Sequence, residues 1–197
     1  MFVYCVYMRT KNDEKQEALF KATVKLVNKI GFASSSVAKI AKEAGVSPAT
    51  IYVYHKNKEE LLVSVYIAIK REMSKAILQN FNSELPLRDI WKNLWLNAFE
   101  YVSKNLENYK YAEQFSNSPY SFLVDHEELE KYFTPIHDLI QNGIEQKIIK
   151  NVDINFISAF AFYPITRLAN PNLCHGFELK KEDVETAFTM AWDAIKL

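Results

Sequence analysis

The 197-residue chain balances 24 Lys and Arg against 24 Asp and Glu, and its 49% hydrophobic content is enough to fill a core without covalent staples. Overall neutrality argues against a uniformly basic nucleic-acid binder, yet the average hides a gradient: residues 1–60 hold ten basic and six acidic side chains, and the remainder 14 and 18. A basic head on an acidic body is the asymmetry expected where only the head meets phosphate. The two cysteines, Cys5 and Cys174, match no CxxC spacing, which suggests neither a metal knuckle nor a disulfide framework and points to a reducing, cytoplasmic setting. The opening MFVYCVY is apolar but far too short to span a bilayer, so it reads as an extension ahead of Met8, an alternative start, and no membrane partner is expected.

Only four glycines and six prolines punctuate the chain, and no stretch sustains period-two alternation, so the expected fold class is all-α with about nine helices. The first runs from about Asp13 to Ile30, with Leu19, Ala22, Leu26 and Ile30 on one face and Gly31 at its end. A short second helix opens at Ser35 or Ser36, turns Val37, Ile40, Ala41 and Ala44 inward, and stops at Gly45. Ser47 caps a third, with Pro48 at its first position, where a missing amide hydrogen costs nothing. Glu59 and Glu60 begin a long fourth helix reaching about Asn80. Beyond Pro86 the pattern predicts helices over Leu87–Ser103, Leu106–Ser116, His126–Lys147 broken at Pro135, Ile154–Ala169 kinked at Pro164, and Lys181–Lys196. The expected domains are a head over residues 8–56 and a body over 57–197.

The sharpest signal is SVAKIAKEAGVSPATIYVY, Ser36 to Tyr54. Apolar Ile40, Ala44, Val46, Ile51 and Tyr54, the small Ala41 at a close helix crossing and Gly45 in the turn make the packing pattern of a helix-turn-helix. From about Ala18 to Val65 the chain resembles the TetR family, through Gly31-Phe32, Ser36 to Ala41, Ala44 to Ser47, Thr50 to Tyr54 and Lys58 to Leu62. Two positions depart from the family pattern: Ala49, often glycine there, and His55, often phenylalanine.

The resemblance implies a homodimer whose heads enter successive major grooves of a roughly palindromic double-stranded DNA operator, a small-molecule effector pocket in the body, and dimerisation through the last two helices. Within the head, Pro48, Ala49, Thr50 and Val53 face outward near the start of the third helix, in reach of base edges or a thymine methyl. Tyr52 and Lys58 match phosphate-contacting positions of the family, Ser36 and Ser47 cap helices beside amides that face phosphate, and Lys39 is an additional candidate contact.

Body sequence carries no motif of that specificity. More than half of the aromatic residues fall between Trp91 and Tyr163, and Trp95, Phe99, Phe115, Tyr120, Phe122 and Phe162 are the candidates to line a pocket for a hydrophobic or aromatic effector, core packing being the competing reading. Val184, Phe188, Ala191 and Ile195, with Ile157, Ala161, Ile165 and Leu168, form apolar stripes expected to build an intersubunit four-helix bundle unless they pack on their own body. His126, His137 and the Cys174-His175 pair lack ligand spacing, and no nucleophile-base pair, phosphate-cradling loop or carboxylate pair is present, so no metal, cofactor or catalytic residue is expected. The sequence thus reads as a ligand-responsive repressor; a helical interaction module that has lost DNA binding is the alternative.

Overall fold

A computed structural model describes residues 11–171 and 179–197; the opening extension, Met8, Cys5, Cys174 and His175 lie outside them. The described residues form eleven α segments, α1 (Lys11–Ser34), α2 (Val37–Ala44), α3 (Pro48–Tyr54), α4 (Lys58–Ile77), α5 (Leu87–Lys104), α6 (Leu106–Ser116), α7 (His126–Glu130), α8 (Thr134–Glu145), α9 (Ile154–Ile157), α10 (Tyr163–Leu168) and α11 (Lys181–Ile195). A 3-10 turn at Lys131–Phe133 joins α7 to α8 and a π turn at Ser158–Phe162 joins α9 to α10, which makes nine helical runs among the described residues, the all-α architecture expected. A single isolated antiparallel bridge pairs Ile149 with Lys196. Among the described residues no helix is long and apolar enough to cross a membrane.

Packing divides the chain into two compact units, one running to Ala68 and regaining Lys110–Val124, the other made of Ile69–Tyr109 and Asp125–Leu197. The first unit regains Lys110–Val124 because α6 and the 3-10 turn at Pro119–Leu123 pack their rings against Phe32. Those rings are Tyr111 and Phe115, each fully buried, and Tyr120. Gly31 ends the first straight run of α1 as expected: its φ of 76° lies in the left-handed region that side chains avoid, and the chain turns there before one further helical turn to Ser34. At the far end of the helix-turn-helix, α3 stops at half-buried His55, whose backbone N–H reaches the Ile51 carbonyl at 2.9 Å. Burial holds the His55 imidazole below its usual pKa, and the Glu60 carboxylate pulls weakly the other way.

The second unit is built on α5. Its buried face, Leu87, Ile90, Trp91, Leu94, Trp95 and Ala98, packs with Ile136, Leu139 and Ile140 of α8, Ile157, Ala161 and Ile165 of the α9–α10 run, and Phe188, Ala191, Trp192 and Ile195 of α11. The Lys92 ammonium bridges to Glu185 at 2.7 Å, and the Arg88 guanidinium lies 5.4 Å over the Phe188 ring. Pro164 has no N–H to give the preceding turn and its ring would collide with the carbonyl four residues back, so the helix widens into the π turn just before it. Within that turn the Ala161 carbonyl accepts the Trp95 indole N–H at 2.7 Å. Trp91, one turn earlier on α5 and equally buried, has no partner for its indole N–H among the described residues, although the Phe162 ring lies tilted against it at 5.3 Å.

The two tryptophans should therefore respond differently to the same substitution. Trp95→Phe takes the indole donor from the buried Ala161 carbonyl, whereas Trp91→Phe removes a donor that was already unpaired. With similar ring volume lost in both, Trp95→Phe should cost about 1–3 kcal/mol more in chemical denaturation, and equal losses would refute the pairing. For His55, a depressed native pKa means that the unfolded chain takes up the proton first. Stability is therefore complete above the ordinary value of 6.5 and declines as pH falls through it toward the native pKa. His55→Phe should flatten that part of the stability profile between neutral and mildly acid pH, read by thermal melts; an unchanged slope would mean that the imidazole is not the group responsible.

Candidate nucleic-acid interface

The helix-turn-helix is set by its caps. The Ser36 hydroxyl accepts from the Lys39 backbone N–H at 3.3 Å and opens α2, and Gly45, at φ 69°, closes it while its N–H returns to the Lys42 carbonyl at 3.2 Å. The Ser47 hydroxyl accepts the Thr50 N–H at 3.3 Å and opens α3 behind Pro48. Ile40, Ala41 and Ile51 are fully buried where the two helices meet, so the angle between α2 and α3 rests on three side chains and two caps. Of the two expected serines, Ser36 is the cap; Ser35 is buried and gives its hydroxyl to the Gly31 carbonyl at 2.7 Å.

This framework turns one face of α3 to solvent. Pro48, Ala49, Tyr52 and Val53 share that face at helical spacing, and Tyr52 and Val53 are 57% and 76% exposed. Side chains that far out on a seven-residue helix are free to meet a partner surface. Thr50 is half-buried, and its hydroxyl lies 3.0 Å from that of Ser47, so the cap occupies the hydroxyl and the methyl is the group of this side chain left to meet a base. Tyr54 turns back and donates its hydroxyl to the Asn12 side chain, tying the end of α3 to the start of α1.

The basic residues differ in how free they are. The Lys39 ammonium is exposed but reaches the Ser34 carbonyl at 3.0 Å. Lys58, expected at a phosphate, is half-buried: its ammonium donates to the Phe32 carbonyl at 2.7 Å and lies 5.8 Å over the Tyr120 ring. It neutralises a carbonyl at the end of α1 and holds α4 to it, an internal duty that sequence spacing could not reveal. Also missed was Asn57, whose side chain caps α4 by accepting the Glu60 N–H at 2.8 Å while Glu60 accepts the Lys56 N–H at 2.5 Å. The signal was there as an Asn three residues before a Glu at the head of an apolar run.

The six aromatics expected to line a pocket are not brought together. Phe115 is fully buried in the first unit, stacked on Tyr66 at 4.3 Å and edge-on to Phe32 at 5.8 Å; Tyr120 lies 5.6 Å from Phe32 in the same unit. Phe122, also of that unit, is 89% exposed. Trp95, Phe99 and Phe162 belong to the second unit, where Trp95 stacks on Phe99 at 5.9 Å and Phe162 faces Trp91. Among the described residues no group of three or more His, Cys, Asp or Glu is placed to hold a metal ion.

Residues 19–65 match the family model described as bacterial regulatory proteins, tetR family, and residues 86–196 match the tetracyclin repressor-like C-terminal domain. A TetR family transcription regulator from Marinobacter aquaeolei VT8, solved by crystallography, is 33% identical, superposes with a TM-score of 0.88, and is matched over 96% of this chain and 99% of that one. An uncharacterized HTH-type transcriptional regulator of Haemophilus influenzae is 26% identical over 96% of this chain and its own entire length. The transcriptional regulator FadR from Bacillus subtilis, solved in complex with stearoyl-CoA, shares the fold at a TM-score of 0.69 and 20% identity over 91% of this chain and 98% of that one. With residues 19–65 and 86–196 both matched, the chain belongs to the TetR family and is a helix-turn-helix transcriptional regulator.

Proposed function

We propose that the protein is a homodimeric repressor that a small, largely apolar effector releases from a palindromic operator. The exposed face of α3 carries this reading: Pro48, Ala49, Tyr52 and Val53 are apolar or aromatic, stand outward on a rigidly capped helix, and suit the thymine methyls and sugar edges of a major groove. Phosphate contacts from Tyr52, Lys39, the Ser36 and Ser47 cap regions and Lys58 would fix register without reading sequence, the Lys58 ammonium first leaving the Phe32 carbonyl. The functional head is taken as residues 8–56 and the sensing and dimerising body as 57–197. FadR from Bacillus subtilis, a fold relative solved in complex with stearoyl-CoA, takes a ligand with a long apolar chain on a polyanionic head, which supports a small-molecule effector in general terms and not its charge.

The stripe expected to dimerise requires correction. Phe188 is 0% exposed, and Ala191, Ile195, Ile157, Ala161 and Ile165 are also buried within this one chain, so they form its core. The neighbouring apolar row is the one left open: Phe156 and Phe160 are each 60% exposed, Tyr163 64% and Met190 69%. An apolar row of this kind on two adjacent helical runs suits an isologous partner, a second copy presenting the same row.

Three variants test the DNA reading after sites have been selected from random duplex DNA. Tyr52→Phe should weaken binding to all sequences about equally with an unchanged melting temperature. Lys58→Ala should weaken binding and lower the melting temperature, because it also releases the Phe32 carbonyl. Thr50→Ser, which keeps the cap and deletes the methyl, should change the preferred sequence. Absence of salt-dependent binding to random duplex by the parent protein would instead support the interaction-module alternative. For the dimer, Phe160→Glu with Met190→Glu should give folded monomers with lost operator binding, while Phe188→Glu should fail to fold. Sedimentation showing a dimeric, DNA-competent Phe160→Glu, Met190→Glu protein would eliminate this interface.

A further inference from the structure

A cleft of about 420 Å³ opens in the second unit between the connection that leaves α4, the start of α5 and one face of α8. It falls within the size range of small-molecule sites, roughly 300–1,000 Å³. Its walls differ in chemistry. One is apolar, with Phe81 and Leu85 from the connection, 38% and 40% exposed, facing the cleft along with Leu139. The other is a row along α8 and its C-cap, Asp138, Asn142 and Gln146, spaced by four residues and so stacked along one helix face. The Gln146 amide donates to the Asn142 side-chain carbonyl at 2.7 Å, which leaves the Gln146 carbonyl as an acceptor. No Lys, Arg or His lines the cleft, and the Asp138 carboxylate has no ion-pair partner among the described residues. The exposed Asp138 carboxylate is the one charged group lining the cleft; beside an amide acceptor and an apolar wall it favours a cation over an anion, and a single carboxylate is too few ligands for a divalent cation.

We propose that this cleft binds an organic ammonium compound with an apolar body, its charged end on Asp138 and Gln146 and its body against Phe81 and Leu85. The cleft has a route to regulation by chain continuity, which rests on the effector-responsive reading above. Asn80, at φ 59°, turns the chain out of the last turn after α4 so that Phe81 enters the cleft wall, and α4 is the helix that begins at Lys58. An occupant that holds Phe81 therefore holds the C-terminal end of that helix.

The test uses the full chain and three matched probes, 4-phenylbutylammonium, 4-phenylbutanol and 5-phenylvalerate, titrated calorimetrically. The ammonium should bind about fivefold or more tightly than the alcohol, the carboxylate more weakly than either, and Asp138→Asn should abolish the difference between ammonium and alcohol while the melting temperature without probe stays unchanged. Phe81→Ala should weaken ammonium and alcohol alike. Equal affinity for ammonium and alcohol, or an ammonium affinity untouched by Asp138→Asn, would overturn the site. A second titration measures affinity for the selected operator with and without 4-phenylbutylammonium. Reduced DNA affinity that Asp138→Asn abolishes supports the cleft as the effector site, whereas Asp138-dependent ammonium binding with constant DNA affinity keeps the site and rejects its role in regulation.

Discussion

The head depends on the packing of one phenylalanine at the end of its first helix. Gly31 turns the chain, and the next residue, Phe32, meets Tyr111, Phe115 and Tyr120 at centroid distances of 5.3–5.8 Å, while its carbonyl takes the Lys58 ammonium. Edge-on aromatic contacts of this kind add about 0.5–1.5 kcal/mol each beyond the area they bury. The Tyr111 hydroxyl, fully buried, donates to the Leu62 carbonyl at 2.9 Å, and burial pushes its pKa far above the ordinary phenol range. The first helix, the start of α4 and α6 are thereby joined through one ring and one carbonyl, and the two short helices of the motif ride on that base. Removing the ring would disturb the position of α3 without touching it.

The second unit solves a different problem, the proline inside a buried helix. Pro164 cannot complete the α ladder, so the chain inserts a π turn, and an inward carbonyl of that turn finds a donor in Trp95. The widened turn also shifts the helical phase of the residues beyond it, and the run presents one apolar row to its own core and another, Phe156, Phe160 and Tyr163, to solvent. A helix with two apolar rows is costly for a lone chain and suited to an assembly in which the second row is covered.

What sequence could deliver divides along the range of the interaction. The caps of α2 and α3, the stop at Gly31, the break at Pro135 and the disturbance ahead of Pro164 are local, written in residues within a few positions of where they act, and all were legible. The outward face of α3 came from helical spacing once those caps were placed. The internal partner of Lys58 was not legible, because it lies 26 positions away in the chain. Membership of Phe115 and Tyr120 in the head unit also escaped, since only packing against Phe32 decides it. The choice between the two apolar rows of the α9–α10 run escaped for a related reason: both rows have the right spacing, and the difference lies in which of them the α5 tryptophans already cover.

The composition of the α3 face constrains how the proposed repressor finds its site. Pro48, Ala49, Tyr52 and Val53 include none of the Arg, Asn or Gln that read a base by paired hydrogen bonds, and the Thr50 hydroxyl is held by Ser47. A head of this kind discriminates through methyl contacts and through the width and flexibility of the groove, so each alone gives modest preference. In the proposed dimer, selectivity comes from two heads held one helical turn of DNA apart, about 34–36 Å, where both engage or neither does. That places the burden of recognition on the geometry of the dimer and makes recognition sensitive to anything that alters it. A coupling of about 1–3 kcal/mol between effector and head spacing, roughly 5- to 150-fold in affinity, is then enough to empty an operator, because little base-specific binding energy stands against it.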